Sequence, residues 1–299
     1  MNAETLHITA ITPSYNQGRF IGRTIESVLS QSRPPLEYLV FDACSSDQTA
    51  DVLAGYAGRL TAVIERDGGQ AEAVNKGLAR ARGDVIAWIN SDDVYYPGAF
   101  EAVLDTFAAN PDVDVVYGEA EHIDVAGTVI EPYGTEPFDY ERLKDVCFFC
   151  QPATFFRRRA VERHGPLRAD LRYSMDYELW LRYCAAVPPL FLPRTLAGSR
   201  LHADTKTLGS RVPVHREILA MLAGTFGRPP ARWVYNLAHA IVEDAGLTRD
   251  TPAANRAYVT AMVREARALF VAHGGTPMGE RIQMARWLWA ARRAESSST

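Results

Sequence analysis

The chain has 299 residues, 47% of them hydrophobic and 23% charged, with a formal net charge of −4. These values are ordinary for a soluble globular enzyme and give no global case for nucleic acid. The charge is uneven: residues 1–210 carry 20 basic and 29 acidic side chains, and residues 211–299 carry 12 and 7. A basic tail on an acidic body points to an anionic surface, such as a membrane, as a partner. No window approaches 18 apolar residues, so no span is expected. The start, Met1-Asn2-Ala3-Glu4, lacks the regions of a signal peptide, and the expected compartment is cytoplasmic. Cys147 and Cys150 have metal-like spacing, but no second pair or nearby His completes a zinc set, so buried reduced thiols are expected.

Strand and helix signals alternate through the first 120 residues. Strands are expected at His7–Ile11, Leu36–Phe41, Thr61–Ile64, Asp84–Ile89 and Val113–Tyr117. Helices are expected over residues 19–31, Thr49–Tyr56, Gln70–Arg80 and from Pro97 to Asn110. Strands spaced by such helices predict βαβ units and a mostly parallel sheet. Beyond residue 120, His122–Tyr133 reads as a hairpin around Ala126-Gly127, and Pro152–Phe156 as a strand. Arg157-Arg158-Arg159 starts a helix that stops near Gly165-Pro166, and residues 176–185 form an amphipathic helix. After residue 211 the chain is Ala- and Arg-rich and helical, with breaks at Pro229-Pro230, Pro252 and Gly274-Gly275.

The tetrad Asn90-Ser91-Asp92-Asp93 ends the apolar run Asp84–Ile89. Two carboxylates at the C-terminal end of a parallel strand face the crevice where open α/β sheets bind ligands. They repel each other unless a cation sits between them and a substrate, which points to Mg²⁺ or Mn²⁺ bridging to phosphates. The competing reading is a turn and helix cap before Pro97. Pro13 and Tyr15 offer a flat surface for a base, and Asp42 an acceptor for an imide N–H. Asp92 is placed to accept from a ribose hydroxyl and Asp93 to hold the metal under a diphosphate. Tyr15 as a packing aromatic and Asp42 as a turn cap are the competing readings.

Thr12-Pro13-Ser14-Tyr15-Asn16, Asp42 with Ser46-Asp47-Gln48-Thr49, Gly69 with Asn75-Lys76-Gly77, and the Asp92-Asp93 tetrad form an ordered set. Gln151–Phe156, Asp176–Arg182 and His202 continue it. The set resembles the motifs of family 2 glycosyltransferases over residues 6–210. The resemblance implies an α/β GT-A fold, a nucleotide-sugar donor, a divalent metal and inversion at the anomeric carbon. It carries base recognition to Asp42, ribose to Asp92, metal to Asp93 with His202, and the general base to Asp176. Asn16 falls with Pro13 and Tyr15 on the nucleotide side. Ala43-Cys44 stands where the family often has a glycine-rich turn, and Met175 where it frequently has an acid.

Only three of the 32 basic residues are lysines, Lys76, Lys144 and Lys206. A compact ammonium suits a phosphate oxygen, so Lys206 is expected on the diphosphate. Arg157-Arg158-Arg159 reads equally as a phosphate clamp or an exposed basic turn and stays outside the site. Uracil and thymine present the same imide edge; a UDP-sugar is favoured by the frequency of that donor in the family. The expected organisation is a nucleotide-sugar-binding half (1–120), an acceptor-side half (121–210) and a helical C-terminal extension (211–299). In residues 281–293, Met284, Trp287, Leu288 and Ala291 share a helical face flanked by arginines. That face suits either a membrane surface carrying a lipid-linked acceptor or packing against the body or a second subunit, as in a homo-oligomer. Two rival functions remain at this point, a nucleotidyltransferase and a non-catalytic nucleotide-sugar binding module.

Overall fold

The computed structural model describes residues 6–202 and 210–296. The chain divides into two compact units, 1–205 and 206–299. The halves anticipated as 1–120 and 121–210 share one continuous sheet in the first unit.

That unit runs β1 (Ile8–Ser14), α1 (Ile21–Leu29), β2 (Glu37–Asp42), α2 (Thr49–Ala54), β3 (Thr61–Ile64), α3 (Gln70–Arg80) and β4 (Val85–Trp88). It continues with β5 (Val94–Tyr95), α4 (Ala99–Ala109), β6 (Val115–Ile123), β7 (Val129–Pro132) and α5 (Tyr140–Asp145). A single 3₁₀ turn, Gln151–Ala153, leads into β8 (Thr154–Arg157), α6 (Arg158–His164), α7 (Met175–Tyr183) and β9 (Leu190–Arg200). The strand order is β3-β2-β1-β4-β8-β6-β9-β5, with β7 paired to β6. Strands β1 to β4 are mutually parallel, and β8 enters antiparallel between β4 and β6. β6 and β9 are parallel, so β1, β4, β6 and β9 all run the same way.

Both sheet faces are covered, and β1, β4 and β8 are buried along their whole length. On one face Ile8, Ala10, Val85, Ala87 and Phe155 form a core with Ile21, Ile25 and Val28 of α1 and Phe100, Val103 and Phe107 of α4. The α1 residues recur at the spacing of one helical face. On the other face Phe156 meets Trp180 and Tyr183 of α7 edge-on, with centroids 5.9 and 5.6 Å apart. Gly77 of α3 lies so close to β1 that a Cβ there would fall 2.6 Å from Ile11 Cγ2.

The second unit is helical: α8 (Arg211–Phe226), α9 (Ala231–Asp244), α10 (Pro252–Ala272) and α11 (Met278–Ser296). The apolar face anticipated in residues 281–293 turns inward within this unit. Met284 and Ala291 are buried, and the Trp287 ring packs 5.0 Å from Tyr235. Trp287 and Leu288 of the same face are half-buried, and the exposed aromatic of α11 is Trp289. Among the described residues no helix is long and apolar enough to cross a membrane.

Candidate active site

The parallel strands deliver their ends to one crevice. At the β1–β2 corner Ser14 sits opposite Asp42 in register. Pro13 is buried, whereas the Tyr15 ring is 61% exposed and offers its face to solvent. Asn16 adopts a left-handed φ of 52° and staples the two loops together. Its N–H donates to Ser45 Oγ (2.7 Å), and its Oδ1 accepts from Ser46 N–H (2.8 Å). Cys44 turns left-handed at φ 58°, the conformation a glycine would supply without steric cost.

Asp42 is 1% exposed, and both its oxygens are engaged by Ser45: Oδ2 by the backbone N–H at 2.9 Å, Oδ1 by the hydroxyl at 2.6 Å. In this conformation it caps the turn and is not open to an imide edge, which is the competing reading of the sequence. Asp67, absent from the sequence-derived set, lies just beyond β3. Its carboxyl is pushed above the usual range by burial, against a hydrogen bond from Gly69 N–H.

The tetrad after β4 separates its two carboxylates. Asp93 is 4% exposed; its Oδ1 accepts the Arg200 backbone N–H at 2.8 Å, and its carbonyl accepts from Thr24 Oγ1 at 2.7 Å. Burial, then the Asp92 charge, raises its pKa well above normal. His202 instead meets Asp92: Nε2 lies 3.0 Å from Asp92 Oδ2, and the imidazole is held 5.0 Å from the Phe20 ring. Of the two carboxylates it is Asp92, read from the sequence as the ribose contact, that meets His202.

Asn90 Oδ1 accepts from Gln70 Nε2 at 2.6 Å, anchoring the tetrad to the start of α3. Arg200, which the sequence reading did not single out, is 2% exposed and organises the cluster. Its Nε donates to Asp92 O at 2.7 Å, its Nη1 to Asp124 O at 2.5 Å, and it lies 5.2 Å over Phe20. Its Nη2 is buried without a hydrogen-bond partner among the described residues, as is Ser14 Oγ. The sequence signal was available in Arg200-Leu201-His202, where only the histidine was weighed.

Asp176 occupies the first turn of α7, a helix fixed by buried Tyr177, Leu179 and Trp180. The Tyr177 hydroxyl sits 2.6 Å from Leu143 O and 2.8 Å from Lys144 O. The buried Cys150 thiol is pushed up by burial first, and by the charges of both Asp93 and Asp176. Both acids therefore lie within electrostatic reach of Cys150. Glu178 is excluded from this chemistry by its ion pair with Arg182 at 2.8 Å. Arg157 donates to the carbonyls of Val113 and Phe107, and Arg159 and Arg163 hold buried Asp114, so that run is structural. Lys76 pairs with Glu65 and Glu72. Lys206 lies outside the described residues.

Among the described residues no three His, Cys, Asp or Glu side chains form a ready-made metal cage. One carboxylate and one imidazole at the crevice nevertheless fit a divalent cation whose remaining ligands come from a diphosphate.

Residues 9–165 match the profile described as Glycosyl transferase family 2. An uncharacterised glycosyltransferase of Rickettsia prowazekii is 26% identical over 213 residues, 67% of this chain and 65% of that protein. Chondroitin synthase of Escherichia coli is 26% identical over 205 residues, 67% of this chain and 30% of that protein. The chain therefore spans just under two thirds of the first relative and less than a third of the second. Residues 1–349 of S. aureus TarS, solved with UDP-GlcNAc, superpose with a TM-score of 0.59 at 17% identity, covering 88% of this chain and 84% of that one. Mannosyltransferase PcManGT of Pyrobaculum calidifontis, solved with GDP-Man and Mn²⁺, superposes at 0.58 and 19% identity, covering 96% and 86%. The fold is the GT-A fold.

Proposed function

Because the chain belongs to glycosyl transferase family 2, we propose that it is an inverting glycosyltransferase that moves a sugar from a nucleotide-sugar donor to an acceptor hydroxyl in glycan or polysaccharide synthesis. The observation that carries this reading is the convergence of Asp92 and His202 at the strand ends, Nε2 to Oδ2 3.0 Å, with Asp93 enclosed behind them. The nucleotide is assigned to the β1–β2 corner: the Tyr15 face stacks the base, and Pro13, Asn16 and Asp42 shape the pocket. A UDP-sugar is the working donor, supported by the UDP-GlcNAc complex of TarS; the GDP-Man complex of PcManGT keeps guanine among the bases to test.

Asp92 and His202 would hold the divalent cation, and their mixed oxygen and nitrogen donors suit Mn²⁺ better than Mg²⁺. When bound, the ion supplies Lewis-acid stabilisation of the departing diphosphate. The acceptor oxygen attacks the anomeric carbon opposite the leaving diphosphate, and its proton passes to the Asp176 carboxylate as the new bond forms. The N-terminal turn of α7 favours the ionised carboxylate that this step requires. Buried Arg200 fixes the Asp92 backbone and acts as a positioning residue.

Thermal unfolding with UDP, dTDP and GDP, each with Mn²⁺, Mg²⁺ or EDTA, tests the site. A nucleotide at about 100 times its dissociation constant adds roughly 2.7 kcal/mol, a shift of about 4 °C for a chain of this size. One nucleotide is expected to act only with metal, and the shift to vanish in Asp92→Ala. An undiminished metal-dependent shift in Asp92→Ala would overturn the assignment.

A further inference from the structure

The helical unit contains two adjoining cavities that the transfer chemistry does not use. The first, about 530 Å³, is lined by Arg211, His215, Asn236, His239, Glu243 and Arg249. The second, about 490 Å³, is lined mainly by apolar residues, among them Val259, Met262, Trp287, Ala290 and Ala291, with Asn255 as a polar member, and shares His239 and Arg249 with the first. One end of the combined cleft is polar and cationic; the other is mainly apolar.

The cationic excess is a matter of pairing. Glu243 is the one acid of the lining, and it is already engaged: Arg211 forms an ion pair with it, and the Tyr258 hydroxyl donates to its Oε1 at 2.9 Å. Arg249 lies 4.0 Å over the Tyr258 ring, with Nη2 3.1 Å from His239 Nδ1, and no carboxylate pairs with it among the described residues. Burial first, then the Arg249 charge, holds His239 below the usual histidine value, so a neutral imidazole faces the cavity at pH 7. A guanidinium with unused donors at the rim of a cavity is matched by an oxyanion. Asn236 stands beside it as a further donor, and the oxygens of a phosphoryl group can meet both.

We propose that these cavities bind a phosphate-headed amphiphile. Its phosphoryl oxygens meet Arg249 and the polar lining, and its alkyl chain lies between Val259, Met262 and Trp287. The shared His239–Arg249 wall places the head and chain sites side by side, which distinguishes an amphiphile from free phosphate.

Calorimetric titration of the full chain tests this with inorganic phosphate, octyl phosphate below its micelle concentration, and octyl glucoside. Octyl phosphate should bind saturably and at least about tenfold tighter than inorganic phosphate, because the chain is removed from water. Octyl glucoside should not bind. Arg249→Gln should weaken both phosphate probes, whereas Ala290→Trp, at an exposed position, should remove only the advantage of the chain. Binding should persist in Asp92→Ala, which separates this site from the donor site. Equal affinity for octyl and inorganic phosphate, absence of saturable binding, or wild-type affinity in a folded Arg249→Gln protein would each overturn the proposal.

Discussion

Asp92 and Asp93 are chemically identical side chains one residue apart, and their surroundings give them different work. Asp93 takes the Arg200 N–H and disappears into the protein; Asp92 keeps an oxygen beside His202. The sequence shows that two carboxylates leave β4 together but not which faces the crevice, because that depends on Arg200, more than a hundred residues later. Asp42 is the opposite case, since the Ser45 that engages its carboxylate lies only three residues on and the turn-cap reading was open to the sequence. At the opposite end of β2 from Asp42, Glu37 offers a control free of the site. Burial raises its pKa, but hydrogen bonds from the Arg82 N–H and Thr9, with the Arg82 guanidinium, prevail and leave it below the usual glutamate value. Its stabilisation is therefore present above the unfolded value of about 4.5 and lost as pH falls through the lower folded value. Glu37→Gln should cost about 1 kcal/mol at pH 7. Chemical denaturation as a function of pH should show that deficit closing below about pH 4, while turnover at pH 7 is unchanged. A deficit constant with pH would contradict the ionic account.

The elements legible in the sequence were those with a single clear period. β1 to β4, the helices between them and the 122–133 hairpin fall where the apolar spacing put them. β9 did not announce itself, because Leu190–Arg200 contains Pro193 and Gly198, both poor strand residues. The structure accommodates them: pairing with β6 slips where Gly118 meets Leu192 and Glu119 meets Thr195, so Pro193 and Arg194 bulge out of register. The insertion of β8 between β4 and β6 is likewise a matter of long-range order. Gly77 marks a constraint on α3 whose reason the sequence could not give: the helix approaches β1 within the radius of a methyl group. Gly77→Ala should lower stability by about 1–3 kcal/mol through overpacking against Ile11, despite the better helix propensity of alanine. A neutral or stabilising result in equilibrium denaturation would mean that α3 shifts freely.

At the scale of the whole molecule, an acidic GT-A unit and a basic helical unit account for the charge asymmetry read from composition. The motifs sit at strand ends, where topology alone brings distant segments together at one crevice. They say nothing about the helical unit, whose cavities arise from helix packing with no linear signature. Sugar transfer in this crevice is assigned Asp176 as its base. It is tested most directly by the initial rate of nucleotide release from the donor sugar, across a panel of glycan acceptors, for the wild type and Asp176→Asn. The metal-dependent nucleotide shift in thermal unfolding is recorded for both proteins in parallel. The account predicts that Asp176→Asn keeps the shift and loses about 10²- to 10⁴-fold in rate. A variant that retains both the shift and the wild-type rate would contradict it.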